Sequence, residues 1–185
     1  MKNLIHFILL LSSIFTVKVA TASNEAMMDI SAIVDPVCTI VASNLDFGVY
    51  NSSISNNMAI LSVRCTNGST FKIRLSKGDS PSKGMLSNNS QSGTQLLKYE
   101  LYQDPTMQKI WGDDDSTTFV GQADGREHNY IIYGQIPDNQ NLPQGVYTSD
   151  LLISLRVSNT NTTIAYQTVT VAKVTATIDD KLSKN

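Results

Sequence analysis

Few side chains in this sequence have the types and spacing that enzymes use. Histidine occurs twice, and His128 is the one that lies beyond the predicted leader described below. No Gly-x-Ser-x-Gly elbow and no nucleophile–base spacing surrounds it, so acid–base and nucleophilic catalysis lack candidate residues. A glycine-rich phosphate loop is also missing. The sequence therefore predicts a protein that is not an enzyme, with no catalytic residues and no cofactor.

Three consecutive aspartates at 113–115 are the set of side chains that comes nearest to a metal site. They lack the alternating ligands and the distal Glu of a calcium loop, so we interpret them as a solvated turn and predict no metal. The neighbouring Trp111 leaves open a sugar-binding adhesin, in which an exposed indole stacks on a sugar. The alternative is a tryptophan buried in the core.

Cys38 and Cys65 are the only cysteines. An even pair in an exported chain indicates a disulfide formed in an oxidising compartment, while the alternative is two buried free thiols. A bridge would close a loop of about 27 residues and stabilise the fold by about 3 kcal/mol on chain-entropy grounds.

The first 22 residues have the pattern of a cleaved signal peptide. A short basic start precedes an apolar run at 4–17, and Ala20-Thr21-Ala22 supplies the small-x-small cleavage pattern. The apolar run is short for a bilayer core of about 30 Å, which argues against the alternative of a membrane anchor. We therefore predict export through the periplasm to the cell surface.

Charge is nearly balanced along the chain. The 14 Lys and Arg residues stand against 16 Asp and Glu residues, and the basic residues are scattered. Such a surface offers no electrostatic footprint for nucleic acid or for anionic lipid. The sequence predicts neither nucleic-acid binding nor membrane insertion.

Alternating apolar residues, separated by clusters of Gly, Asn, Ser and Asp, recur after the leader, and helical signals are nearly absent. This period of two predicts one all-β domain, an antiparallel sandwich. Residues 76–94 are predicted to be a long surface loop, and no internal repeat is predicted. The strongest predicted strand has an apolar face formed by Leu151, Ile153, Leu155 and Val157.

Seven short motifs follow one another in an order typical of a known family. They are Cys-Thr-Ile at 38–40, Leu-Asp-Phe-Gly-Val-Tyr at 45–50, Val-Arg-Cys-Thr at 63–66, Leu-Lys-Tyr-Glu-Leu-Tyr at 97–102, Trp-Gly at 111–112, Tyr-Gly-Gln-Ile-Pro at 133–137 and Gly-Val-Tyr-Thr-Ser-Asp at 145–150. Across residues 28–157 the series resembles the spore coat protein U domain family, which includes the pilins of archaic chaperone–usher pili. The order of the motifs carries the resemblance, since no single motif is specific.

This resemblance implies an immunoglobulin-like sandwich that lacks its last strand and so leaves a hydrophobic groove open. A periplasmic chaperone fills the groove first, and the N-terminal strand of the next subunit replaces it as an outer-membrane usher extrudes the fibre. The family's disulfide joins cysteines that match Cys38 and Cys65. The implied function is a structural subunit of a secreted surface fibre, assembled by donor-strand complementation with other pilus subunits and serving adhesion or biofilm formation.

Residues 23–37 precede the predicted domain at 38–157 and form the predicted donor-strand segment. Nine extended residues there reach about 30 Å, enough to run along a sandwich. The alternative is an ordinary first strand paired within its own domain. The predicted donor face consists of Met28, Ile30, Ala32 and Val34.

The chain continues beyond the point at which members of the family usually end, with an extension at 158–185 that contains one predicted strand. If this strand is accessory, the protein is a polymerising pilin that accepts a neighbour's strand, which is the interpretation the sequence favours. If it fills its own groove, the domain is self-complemented and either terminates a fibre or acts as a monomeric coat protein. The face that would then enter the groove consists of Tyr166, Thr168, Thr170, Ala172, Val174, Ala176 and Ile178.

Overall fold

The computed structural model describes residues 27–76, 84–87, 95–159 and 162–179. The predicted signal peptide at 1–22 lies outside the described residues. The chain divides into two units, Met1–Ile33 and Val34–Asn185. In the first unit, residues 27–33 form neither strand nor helix. No helix within the described ranges is long and apolar enough to cross a membrane.

One sheet of the second unit contains four antiparallel strands in the order β1-β3-β9-β7. Their bounds are Cys38–Ala42 (β1), Ser55–Cys65 (β3), Glu127–Ile136 (β9) and Glu100–Tyr102 (β7). In β3 every second side chain is buried from Ala59 to Cys65, because alternate residues of a strand face the same side of the sheet. The intervening residues face away from the core.

The other sheet has the order β2-β11-β10-β4-β8, with β5 paired to β10 and β6 paired to β5. Its bounds are Leu45–Val49 (β2), Thr70–Leu75 (β4), Gly84–Ser87 (β5), Leu96–Lys98 (β6), Phe119–Gln122 (β8), Gly145–Asn159 (β10) and Thr162–Ile178 (β11). All its pairings are antiparallel except that of β11 with β2.

The two strand orders are those of an immunoglobulin-like sandwich. In that fold the first, second, fifth and fourth strands share one sheet, and the last strand lies beside the penultimate strand in the other sheet. Here β10 takes the penultimate position and β11 takes the last. The predicted all-β, immunoglobulin-like class is therefore confirmed.

Both sheets contribute their inward side chains to one core. Its largest fully buried side chains include Trp111, Tyr50, Tyr99, Tyr147 and Phe71. These aromatic groups bury large apolar areas, while the hydroxyl or indole N–H lets each Tyr and Trp make a polar contact.

One sequence expectation about local structure differs from what is observed. The predicted surface loop at 76–94 contains a short strand, β5, which pairs with β10 and β6. Its four residues, Gly-Met-Leu-Ser, are too few for a period-two signal to stand out from polar surroundings. The segment at 27–37 forms no strand, so the alternative of an ordinary first strand paired within its own domain is not observed.

Candidate functional site

The inward face of β10 forms one part of the candidate site. Its side chains alternate between core and surface, as the sequence pattern of apolar residues requires. The predicted face, formed by Leu151, Ile153, Leu155 and Val157, is at most 1% exposed. A buried apolar strand of this kind leaves unpaired backbone groups at its edge unless another strand pairs with it.

The extension beyond residue 158 supplies that strand, β11, in the same sheet. Its backbone pairs antiparallel with β10, and Ala172 lies opposite Leu151, Val174 opposite Ser149. Ala172, Val174 and Ala176 are buried, whereas Thr168, Thr170 and Ile178 are half-buried. The backbone of Tyr166 pairs with Val157; its side chain lies outside the described part. We call the channel between β10 and β2 that β11 occupies the last-strand groove.

The opposite wall of the last-strand groove is β2, which runs parallel to β11. Val174 pairs with Leu45 and Thr177 with Val49, so β2 carries one residue more than β11 over this stretch. Gly48 absorbs the extra residue at a φ of 68°, a conformation that costs a side chain about 1–2 kcal/mol.

Asp46 makes a polar contact between β2 and β11. Its carboxylate accepts a hydrogen bond from the backbone N–H of Gly48 at 3.0 Å and another from the Thr175 hydroxyl at 2.9 Å. The first bond fixes the bulge, and the second fixes the position of β11 beside it. Asn44 acts similarly, because its side-chain oxygen accepts from the Lys173 N–H at 3.0 Å.

Tyr50 follows β2 and holds its C-terminal end in place by hydrogen bonds. Its N–H donates to the Thr177 carbonyl at 2.8 Å, which extends the pairing with β11 by one bond. Its buried ring places the hydroxyl to donate to the Pro137 carbonyl at 2.7 Å and to accept from the Gln140 N–H at 3.2 Å. The tyrosine thus connects the last-strand groove to the loop that leads into β10.

Gly134 of β9 makes room for β2 across the core. A Cβ at this position would lie 2.7 Å from Leu45 Cδ2 and 2.8 Å from Phe47 Cζ. These distances are shorter than contacts between carbon atoms allow. A side chain at position 134 would therefore force Leu45 or Phe47 to move. Asp46, Tyr50 and Gly134 stand within the family motifs, but no sequence signal gave them a role. A conserved glycine in an alignment would have been such a signal.

The disulfide predicted from the sequence is confirmed. Cys38 and Cys65 are directly opposite in the β1–β3 pair, and a bridge joins them. Beside it, the Thr168 hydroxyl of β11 donates to the Cys38 carbonyl at 3.2 Å. Cys38 therefore lies at the end of the last-strand groove where the inward-facing residues of β11 begin.

The predicted donor face lies in the segment before β1. Met28 is 81% exposed, Ile30 86% and Val34 68%, and Ala32 is also exposed. Pro36 is buried, and Val37 is tied to the sandwich by hydrogen bonds with Thr66. Exposed apolar side chains at alternate positions have the composition of a strand that pairs with a partner.

His128 and Asp124 form a hydrogen-bonded pair at the surface. Backbone donation from Arg126, followed by the hydrogen bond with His128 at 2.9 Å, holds the pKa of Asp124 below its usual range. His128 is an exposed residue of β9. Within the described ranges, no group of three or more His, Cys, Asp or Glu side chains is placed to hold a metal ion.

Trp111 is part of the core. Its side chain is 1% exposed, and the indole N–H donates to the Ile73 carbonyl at 3.1 Å. The centroid of its ring lies 5.3 Å from the centroid of the Phe119 ring. The alternative in which this indole stacks on a sugar is therefore excluded. Among the neighbouring aspartates, Asp115 pairs with Arg74 at the surface.

The fold and the groove define a pilin-like immunoglobulin sandwich. Residues 24–154 match the Spore Coat Protein U domain, so the chain belongs to that family, as the sequence motifs predicted. Protein U of Myxococcus xanthus is 28% identical over 152 residues, which cover 72% of this chain and 85% of that protein.

Solved pilin structures have a similar fold. The CooA pilin subunit from enterotoxigenic Escherichia coli matches with a TM-score of 0.51 and 14% identity, over 76% of this chain and 99% of that chain. The CsuC–CsuE complex, a chaperone with a tip adhesion subunit from the archaic chaperone-usher Csu pili of Acinetobacter baumannii, matches with a TM-score of 0.44 and 19% identity. That match covers 76% of this chain and 40% of that chain. The similarity to CooA concerns the fold alone.

Proposed function

We propose that this protein is a structural subunit of an exported surface assembly, and that its N-terminal segment adds a strand to a neighbouring subunit. The observation that carries the proposal is the exposed alternating face of Met28, Ile30, Ala32 and Val34 ahead of the first strand. If Met28, Ile30 and Val34 are buried in a neighbour, each contributes about 1.5–3 kcal/mol. Strand addition also satisfies the backbone N–H and C=O groups of the segment.

The proposed partners follow from the family. A periplasmic chaperone would protect the subunit before assembly, and an outer-membrane usher would order the subunits at the surface. Other copies or other subunits would accept the N-terminal strand. Adhesion or biofilm formation is the proposed purpose of the assembly, and no catalysis is involved.

The position of β11 favours a second candidate. Because β11 pairs along the edge of β10 and buries Ala172, Val174 and Ala176 in the core, the sandwich has all its strands without a partner. A self-complemented subunit of this kind donates its N-terminal segment but leaves its own groove filled. It would then terminate a fibre or coat the surface as a monomer. Purification of the mature protein without a chaperone separates the candidates, since self-complementation predicts a cooperatively folding monomer.

The experiment for strand donation compares two substitutions in the exported protein. Ile30→Asp places a charge on the donor face, whereas Ile33→Asp places the same charge on the opposite face. We expect Ile30→Asp to abolish surface multimers, measured on unboiled denaturing gels of shed material, and Ile33→Asp to retain them. Multimers that survive Ile30→Asp at the level of the control would contradict the proposal.

A further inference from the structure

Two cations lie directly opposite each other on the outer face of the sheet that contains β10. Lys72 of β4 pairs with Arg156 of β10 in the backbone register, and both side chains are exposed. Residues directly opposite in an antiparallel pair have Cβ atoms about 4.5–5.5 Å apart, and like charges at this spacing destabilise a sheet. Neither cation forms an ion pair with a described residue. Their repulsion is therefore uncompensated within the described part of the chain.

Arg74 adds a third cation two residues farther along β4. Its side chain faces the same side of the sheet as that of Lys72, because alternate residues of a strand share a face. A rise of about 3.3 Å per residue places the two positions about 7 Å apart. Arg74 is half-buried and pairs with Asp115, which lies in the loop before β8. We call Lys72, Arg74 and Arg156 the cation patch.

The positions around the cation patch carry neutral groups that form hydrogen bonds. On the outward faces of β4, of β8 and of β10 from residue 152 onward, no described position is an Asp or Glu. Asp150, farther along β10, is paired with Lys173. Hydroxyl and amide groups can donate to an oxyanion beside the cations. The neighbours that carry such groups are Thr70, Gln122, Ser154 and Gln167.

Protection of an open sheet edge does not explain these charges. Charged side chains on edge strands prevent unwanted pairing between molecules. However, β4 is paired with β10 on one side and with β8 on the other, and β10 is paired with β4 and β11. The cation patch therefore lies on interior strands, where such protection is not needed. A ligand of opposite charge would relieve the repulsion.

The fold creates the cation patch from residues that are far apart in the sequence. Basic residues are scattered along the chain, and Arg156 follows Arg74 by 82 positions. The pairing of β4 with β10 brings them to one face. The scattered basic residues of the sequence therefore gave no sign of this site.

The composition of the cation patch discriminates between classes of anionic polymer. Arginine and lysine bind phosphate and similar oxyanions through charge-assisted hydrogen bonds. Three cations are few beside the roughly 6–10 phosphate contacts of strong nucleic-acid binders. No aromatic side chain stands at a described outward position of β4, β8 or β10, so nucleic-acid bases would lack a stacking partner. An open sheet face of this kind suits a polymer that repeats its charge, because many weak contacts then add up.

We infer that the cation patch is a binding site for the sulfate or phosphate ester groups of an anionic polysaccharide, with Lys72 and Arg156 as the primary contacts. On this inference Asp115 is an internal competitor, because its carboxylate pairs with Arg74. The inference adds a ligand to the proposed surface subunit. It does not depend on strand donation, since the cation patch is complete within one molecule.

The first test measures binding of the mature protein to dextran sulfate at low salt by titration calorimetry. Lys72→Gln/Arg156→Gln should lower the association constant about 4- to 25-fold, since one exposed ion pair contributes about two- to five-fold. The control Lys98→Gln/Lys109→Gln removes the same charge from exposed positions elsewhere and should lower the constant less than about two-fold. An equal fall in both double variants would show attraction by net charge alone and would overturn the inference.

The second test measures the repulsion in the unliganded protein. Lys72→Gln should raise the urea midpoint at low salt, and the gain should disappear at about 1 M salt, where the Debye length is about 3 Å. Dextran sulfate should raise the midpoint of the unaltered chain and have little effect on Lys72→Gln/Arg156→Gln. A difference between Lys72→Gln and the unaltered chain that is the same at both salt concentrations would contradict the repulsion.

The third test releases Arg74 from its competitor. Asp115→Asn should raise the association constant for dextran sulfate about two- to five-fold, because Arg74 becomes available to the ligand. Asp114→Asn, at the adjacent exposed carboxylate, makes the same change in net charge and is the matched control. Adding Arg74→Gln to Asp115→Asn should remove the rise. Rises of equal size in Asp115→Asn and Asp114→Asn would exclude Arg74 from the site.

Three further polymers identify the ligand chemistry. Phosphomannan presents phosphate esters in place of sulfate esters, dextran is the uncharged polysaccharide, and oligothymidylate represents nucleic acid. Binding of dextran sulfate or phosphomannan well above that of dextran supports the inference and shows which ester is preferred. Oligothymidylate that binds as tightly as the better polysaccharide would overturn it. Surface multimers report on the proposed function separately, because Lys72→Gln/Arg156→Gln should leave them unchanged.

Discussion

The hydroxyl of Thr175 donates a hydrogen bond to the carboxylate of Asp46, which is 129 positions earlier in the chain. The bond joins one of the first strands of the sandwich to the last. It lies at the bulge where Gly48 shifts the register of β2 against β11. The position of β11 in the sheet thus depends on groups near the N-terminus of the domain.

Truncation after residue 159 should prevent the mature protein from folding alone. The change removes Ala172, Val174 and Ala176 from the core, and Val174 by itself contributes about 1.5–3 kcal/mol. It also exposes the apolar face and the open edge of β10, which invites aggregation. We expect loss of cooperative urea unfolding by circular dichroism. Truncation after residue 179 is the control and should unfold as the full mature chain does.

Gly134→Ala should destabilise the fold by about 1–3 kcal/mol, because its methyl group meets Leu45 and Phe47. The displaced side chains belong to β2, so the last-strand groove should loosen as well. Urea unfolding measures the free energy. Phe47→Leu in the same chain should recover part of the loss, since it removes the ring carbon nearest to the new methyl. Equal destabilisation with and without Phe47→Leu would show that the clash is elsewhere.

A structural feature is easier to predict from the sequence when the residues that form it are close together along the chain. The alternation in β10 and the pairing of two lone cysteines are local or nearly unique signals, and both agree with the structure. The strand in β11 was predicted from its periodicity, and its place in the domain's own groove was the less favoured of two alternatives. Its inward residues, with Thr168, Thr170 and Ala172 among them, are less apolar than a groove filler is expected to be. Pairing partners are set by topology, which periodicity does not encode.

Long-range positioning residues gave no sequence signal. Gly134 matters because two side chains from the other sheet need its space, and Tyr50 because a loop carbonyl accepts a hydrogen bond from its hydroxyl. Neither fact follows from the neighbours of the residue in sequence. The burial of Trp111 was one of two predicted alternatives, and the contact with Ile73 decided between them.

Reduction of the Cys38–Cys65 bridge should destabilise the sandwich by about 3 kcal/mol, because it releases a loop of 27 residues in the unfolded chain. The bridge joins directly opposed residues of β1 and β3, so the strands retain their backbone pairing when it opens. We therefore expect a lower urea midpoint with dithiothreitol rather than loss of the fold. The same shift is expected for the double variant Cys38→Ala/Cys65→Ala, and dithiothreitol should then have no further effect.

Asp104 provides a test of stability against pH. The hydrogen bond from the Thr106 hydroxyl, followed by that from the Lys109 N–H at 2.7 Å, holds the pKa of this carboxyl below the value of 3.8 that an unperturbed aspartate has. A lowered pKa in the folded state means that the charged form stabilises the fold. This contribution is fully present above about pH 4 and is lost as the pH falls through the lower, folded pKa.

Asp104→Asn should therefore reduce the urea midpoint at pH 7, and the difference from the unaltered chain should close as the pH falls below about 4. Asp138→Asn, at an exposed loop carboxylate, is the matched control and should change the midpoint little at either pH. A deficit in Asp104→Asn that stays constant from pH 7 to pH 2 would show that the side chain acts through its shape rather than its charge.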